Sequence, residues 1–145
     1  MVSQNVRPTV DEYMLQLCSV VATRGTCDRL RAGAVVALDR RVMATGYNGS
    51  PPGMPHCDDV GHELVDTHCV RTIHSEHNAI LQAAKFGGIG LIGTTLYTLY
   101  SPCYQCARYI IGVGIKEVVY GEEYRDTTSL EYLISAGVVV RKLKT

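Results

Sequence analysis

The chain has 145 residues, 46% apolar and 19% charged, an ordinary balance for one globular domain (1–145) that buries its own core. Fourteen basic and fourteen acidic side chains cancel to a formal charge of zero, which argues against a dedicated nucleic-acid binder while leaving room for a local basic pocket. No run approaches the ~18 apolar residues of a membrane span, and the polar opening MVSQNVRPTVDEY does not read as an export signal, so a cytoplasmic protein with no membrane contact is expected.

Thr9 and Glu12 form a capping box ahead of Tyr13, Met14, Leu17, Cys18 and Val21 at helical spacing. They predict a helix over about 9–24, closed by Gly25. AGAVVAL (32–38) and VMATGYN (41–47) read as two strands joined by a hairpin. From Asn48 to Thr72 the chain is rich in Gly, Pro, Asp, His and Cys without a steady period, and so long a loop needs a function or an anchor of its own. SEHNAILQAAKFG (75–87) predicts a helix and TTLYTLY (94–100) a strand. CYQCARYIIGVG (103–114) predicts a helix with Ser101 as N-cap and Pro102 at its first position. EVVYG, TTSLEYLISAG and VVVRKL add a strand, a helix and a last strand. Strands alternating with helices should lie parallel through right-handed crossovers. The expected fold class is α/β: three α-β-α layers around a five-stranded mixed sheet whose last strands are parallel.

Six cysteines in a chain without an export signal point to thiols or metal ligands rather than disulfides. In SPCYQC, Cys103 and Cys106 lie three residues apart at a helix start, and so face one way. In IHSEHNAI, His74 and Glu76 open another helix after a loop. Such turns open on the sheet edge where α/β folds bind ligands. One imidazole and two thiolates give three ligands, the number catalytic zinc keeps while leaving a fourth position for water. Glu76 is close enough to exchange a proton with that water without being a ligand. A redox dithiol or a purely structural zinc would leave Glu76 without a role. His77 reads as a helix-face residue pointing away from the metal, and Cys18 as core. H-x-E followed by P-C-x-x-C is the pattern of zinc-dependent nucleobase deaminases.

That pattern leaves the substrate open between a nucleotide, a free nucleoside and an adenosine in tRNA. TGYNGSPPGMPHCDDVGHE, HCVRTIHSEHNA, SPCYQC and EEYRD together resemble the deoxycytidylate (dCMP) deaminases of bacteria and phages, over about Thr9 to Leu143. One departure is Ser75, where that family usually has alanine; both are small, so the chemistry is expected to be unchanged. The resemblance implies zinc-dependent conversion of dCMP to dUMP and ammonia, feeding thymidylate synthesis, with Glu76 catalytic and His74, Cys103 and Cys106 on the metal. It implies Asn48 on the sugar, Arg29, His68, Tyr124, Arg125 and Arg7 around the phosphate and deoxyribose, and a second, structural zinc near Cys27, Cys57, His62 and Cys69. It further implies a cytidine-deaminase-like fold, a homohexamer, dCTP as activator and dTTP as inhibitor. The effector, accompanied by Mg2+, would contact Gly49, Ser50 and Gly53.

Overall fold

The computed structural model describes residues 6–86, 88, 90–124 and 127–143. Helix α1 (Val10–Ala22) begins at the expected capping box, in which the Thr9 hydroxyl accepts from the Glu12 N–H and the Glu12 carboxylate accepts from the Thr9 N–H. Strands β1 (Gly33–Leu38) and β2 (Arg41–Tyr47) form the expected hairpin. The turn between them places Asp39 and Arg40 at positive φ. The long segment holds a single-turn helix α2 (Cys57–Val60) and a two-residue hairpin, β3 (Leu64–Val65) and β4 (His68–Cys69). Then follow α3 (Ser75–Lys85), β5 (Thr95–Tyr100), α4 (Tyr104–Gly112), β6 (Glu117–Glu122), α5 (Thr128–Ser135) and β7 (Val139–Lys142).

The main sheet has the order β2-β1-β5-β6-β7. β1 is antiparallel to both neighbours, and β5, β6 and β7 are mutually parallel, as the alternation of strands and helices requires. Side chains alternate across the sheet. Val35, Ala37, Tyr97 and Val119 pack on Met14, Leu15 and Cys18 of α1. Ala34, Val36, Leu96 and Val118 pack on Ala79 and Ala83 of α3, Ala107 and Ile110 of α4, and Leu133 of α5. Helices on both faces give the three-layer arrangement. Among the described residues no helix is long and apolar enough to cross a membrane.

The topology gathers the site. Because β1 runs against β2 and β5, the start of β1 shares one sheet edge with the ends of β2, β5 and β6. Residues 27–32, Asn48, Ser101–Cys103 and Tyr124 all leave the sheet at that edge. Gly46 fixes α3 against it. A Cβ at Gly46 would stand 2.3 Å from both the Ser75 carbonyl oxygen and the Ala79 nitrogen, so only glycine lets the first turn of α3 settle on β2.

Candidate active site

Helix α4 departs from expectation at its start. Its N-cap is Cys103, not Ser101, and the Cys103 sulfur accepts from the Cys106 N–H at 3.4 Å. Ser101 is instead engaged by the end of β6 and the residues just after it, its N–H donating to the Glu122 carbonyl at 2.8 Å and its hydroxyl accepting from the Tyr124 N–H at 2.7 Å. Pro102 lies outside the helix, and its carbonyl accepts from the buried Ser129 hydroxyl. A thiolate is a competent acceptor for an open N–H, so one atom both caps the helix and faces the metal position.

The N-cap of α3 is His74, whose side chain makes no capping bond. Its Nδ1 lies 3.4 Å from Sγ of Cys103 and 3.4 Å from Sγ of Cys106. These three ligand atoms form one group able to hold a metal ion. Cys103 is pulled down to about 4, first by its hydrogen bond with Cys106 and then by His74, with burial opposing. Cys106 is pushed up by Cys103, by burial and by Glu76. His74 is raised, chiefly by its bond with Cys103. A dication bound here displaces whatever protons its ligands carry. The positive ends of α3 and α4 meet here, which suits two thiolates. The donor set therefore fits zinc.

Glu76 is buried beside this cluster and does not belong to it. Its Oε1 accepts from the Ser75 hydroxyl at 2.6 Å and is 3.3 Å from the Thr98 hydroxyl. Ser75 stood out in the sequence only as a departure from the family's alanine, and Thr98 carried no signal there. His77 is not part of the cluster, and its ring lies against Tyr109 of α4, with centroids 4.3 Å apart and planes tilted by 39°. Cys18 is core, donating to the Tyr97 carbonyl.

A cavity of about 270 Å³ opens over the cluster. That is near the low end for a small-molecule site. Arg29, Asn48, His68, Tyr124, His74, Glu76 and Cys103 all line it. Arg29 donates to the Thr67 carbonyl at 2.8 Å, tying the start of β1 to the β3–β4 turn. Asp66 and Thr67 in that turn have positive φ, costly for a β-branched residue, and the Arg29 bond helps hold it there.

Three of the expected contact residues have other surroundings. Asn48 is first a clamp: its Oδ1 accepts from the Ala32 N–H, and its amide N–H groups donate to Leu30 and Cys27 carbonyls. One lone pair on Oδ1 is left for a sugar hydroxyl. Arg7 is exposed ahead of α1 and is not among the residues lining the cavity. The Gly49 N–H is engaged with the Ile73 carbonyl at 3.2 Å. Gly53 is open, with φ +86°, and the buried Ser50 hydroxyl lacks a hydrogen-bond partner among the described residues. Arg125 lies outside the described residues.

Cys27, Cys57, His62 and Cys69 converge, with all four ligand atoms within 4.8 Å of one another. His62 Nδ1 is 3.3 Å from the Cys27 sulfur, and the sulfurs of Cys57 and Cys69 are 3.4 Å apart. His62 Nε2 is 3.0 Å from Asp28 Oδ1, the carboxylate partner that metal-bound histidines characteristically have. Cys57 is raised to about 12, mainly by burial and then by Cys69. Burial also opposes ionisation of Cys69, but N–H groups at Arg71 and Glu63 and the Cys57 thiol bring it down to about 6. This tetrahedral-type donor set fits a structural zinc. Cys27 and Cys69 also line the cavity, so the cluster forms part of its wall.

Three soft ligands with a buried carboxylate beside them define a metal-assisted hydrolytic enzyme. The comparisons narrow this class. The family model described as the cytidine and deoxycytidylate deaminase zinc-binding region matches residues 8–122, and the chain belongs to that family. It is 43% identical over 135 residues to ComE operon protein 2 of Bacillus subtilis (strain 168), covering 92% of this chain and 71% of that protein. It is 40% identical over 129 residues to the deoxycytidylate deaminase of Mycobacterium phage D29, covering 81% of this chain and 98% of that one. The fold matches the crystal structure of dCMP deaminase from the cyanophage S-TIM5 in complex with dCMP and dUMP, with a TM-score of 0.84 and 30% identity over 95% of this chain and 99% of that one.

Proposed function

We propose that residues 1–145 act as one catalytic domain that hydrolyses dCMP to dUMP and ammonia, with His74, Cys103 and Cys106 holding zinc and Glu76 moving protons. The observation that carries this reading is the buried Glu76 carboxylate beside, and outside, a His-Cys-Cys cluster on the floor of a nucleotide-sized cavity. Zinc in such a site acidifies the attacking water. Glu76 receives the proton that water loses. It gives that proton to the ring nitrogen N3, then takes the proton of the new C4 hydroxyl and passes it to the departing amino group, so that the C4–N bond gives way to C4=O and ammonia leaves. Asn48 Oδ1 faces a sugar hydroxyl, Arg29, His68 and Tyr124 line the pocket for the phosphate and deoxyribose, and the family resemblance assigns Arg125 to the same role. Arginine forks suit a phosphate dianion. A tRNA adenosine is disfavoured by the zero formal charge.

Substrate choice tests this reading. Ammonia release from dCMP, CMP and deoxycytidine should rank in that order in kcat/KM. Without a phosphate the pocket donors lose a partner they are built for, a penalty of about 1–3 kcal/mol for each charge-assisted bond. Arg29→Ala should raise KM for dCMP with little change in kcat, since it contacts substrate and transition state alike. Equal use of deoxycytidine and dCMP would sink the phosphate assignments.

The second cluster is read as a structural zinc site for residues 48–72. Cys57→Ser should then lower the zinc content from two ions per chain to one and increase hydrogen exchange in that segment. One zinc per wild-type chain, unchanged by the substitution, rejects it. The same reading extends to a cytoplasmic homohexamer activated by dCTP and inhibited by dTTP, with effector contacts near Ser50 and Gly53. Family membership supports it, and sedimentation with and without each nucleotide checks it.

A further inference from the structure

We propose that Ser75 is a positioning residue for the proton transfer: its hydroxyl, joined by that of Thr98, pins Oε1 of Glu76 and leaves Oε2 as the oxygen turned to the reacting water. The proposal rests on the reading of Glu76 as the proton carrier.

Ser75 is the first residue of α3 and fully buried. Successive side chains on a helix point roughly 100° apart and do not ordinarily meet. A 2.6 Å bond from the Ser75 hydroxyl to the next residue's carboxylate therefore requires Glu76 to bend back over the helix start. Packing alone does not call for a hydroxyl there. The close contact of β2 with this turn is between Gly46 and backbone atoms of Ser75 and Ala79, so an alanine side chain would sit as well against the strand.

Thr98 approaches the same oxygen from the sheet. It lies two residues from Leu96 on β5, hence on the same face, directed at α3. Its hydroxyl is 3.3 Å from Glu76 Oε1 and 3.1 Å from the Tyr100 carbonyl. One hydroxyl has one proton, so Thr98 serves these acceptors in turn. Ser75, at the shorter distance, is the firmer constraint. The Ser75 hydroxyl, joined in turn by that of Thr98, anchors Oε1 from a helix start and a central strand and restricts the carboxylate before substrate arrives. That matters for a group that must collect a proton at one place and release it at others, because misplacement of about 1 Å costs on the order of 10²-fold in rate.

Ser75→Ala tests this. Its kcat for dCMP should fall about tenfold, the scale of partial misplacement rather than loss of the acid–base group. KM, the Kd for dUMP by calorimetry, zinc content and Tm should stay at wild-type values. Thr98→Ser, which keeps a hydroxyl, should retain most of the rate, and Thr98→Val should not. A wild-type kcat in Ser75→Ala overturns the proposal, as do equal rates in Thr98→Val and Thr98→Ser. A loss of kcat accompanied by a matching rise in KM or a lowered Tm also overturns it, since that marks a packing role. Glu76→Gln measured alongside separates two failures. If it is inactive while Ser75→Ala is unaffected, only this inference falls; if it is active, the reading of the reaction falls first.

Discussion

Glu76→Gln should keep zinc at the His74–Cys103–Cys106 cluster and lose turnover of dCMP by on the order of 10³-fold. The amide is nearly the same shape as the carboxylate, so the Ser75 hydroxyl can still donate to the side-chain oxygen, and the fold around the first turn of α3 is preserved. What disappears is an atom that can accept a proton and give it back. Because Glu76 is not one of the three clustered ligands, metal content should be unchanged. Zinc analysis on the same sample as the rate measurement makes the case: inactivity with lost zinc would place Glu76 among the ligands, and near-normal rates with zinc present would remove it from the chemistry. Substrate affinity gives a further check, since a pure proton carrier contributes little to ground-state binding and KM should move far less than kcat.

The parts of this site that were legible in the sequence are those whose geometry is local. His74 and Glu76 share one helix start, Cys103 and Cys106 share another, and the alternation of strands with helices was enough to bring both starts to one sheet edge. The N-cap of α4 was misread because serine followed by proline satisfies the usual capping pattern, whereas the Cys103 sulfur takes the cap and Ser101 answers to β6. The elements between Asn48 and Thr72 escaped because they are too short for a period. α2 is a single turn, and Leu64 and Val65 of β3 are both exposed, so no in-and-out alternation exists to be read. Their order comes from Cys27, 30 residues before Cys57, meeting the loop through His62. Asn48 shows a different limit. Its residue type suggests a ligand to sugar, but its amide mostly holds the 27–32 turn in place, and only the folded chain reveals which of its hydrogen-bonding groups remain. Ser75 and Thr98 carry no motif of their own, and matter through a carboxylate oxygen that they reach from two different elements.

Loss of a metal ligand should be at least as severe as loss of Glu76, and it should read differently. Cys103→Ala is expected to abolish detectable deamination of dCMP and to remove the zinc of this cluster together with it, because two remaining ligands do not hold the ion against dialysis. The same substitution removes the acceptor for the Cys106 N–H, so the first turn of α4 loses its cap, a cost of about 1 kcal/mol of stability. Cys103→Ser separates the two effects. The serine oxygen can cap the helix but is a far poorer zinc ligand than a thiolate, so stability should return while zinc and activity do not. The second cluster supplies the internal control: its four ligand atoms are drawn from Cys27, Cys57, His62 and Cys69, none of them shared with Cys103, so zinc held there should survive both substitutions. The expected outcome is thus one zinc per chain in either Cys103 variant, against two in the wild type and one in Cys57→Ser. The Cys103 variants should be inactive, whereas Cys57→Ser keeps its catalytic zinc. Full activity in Cys103→Ala would mean that the catalytic metal is held elsewhere. Retention of both zinc ions without activity would confine Cys103 to the chemistry and take it out of the metal site.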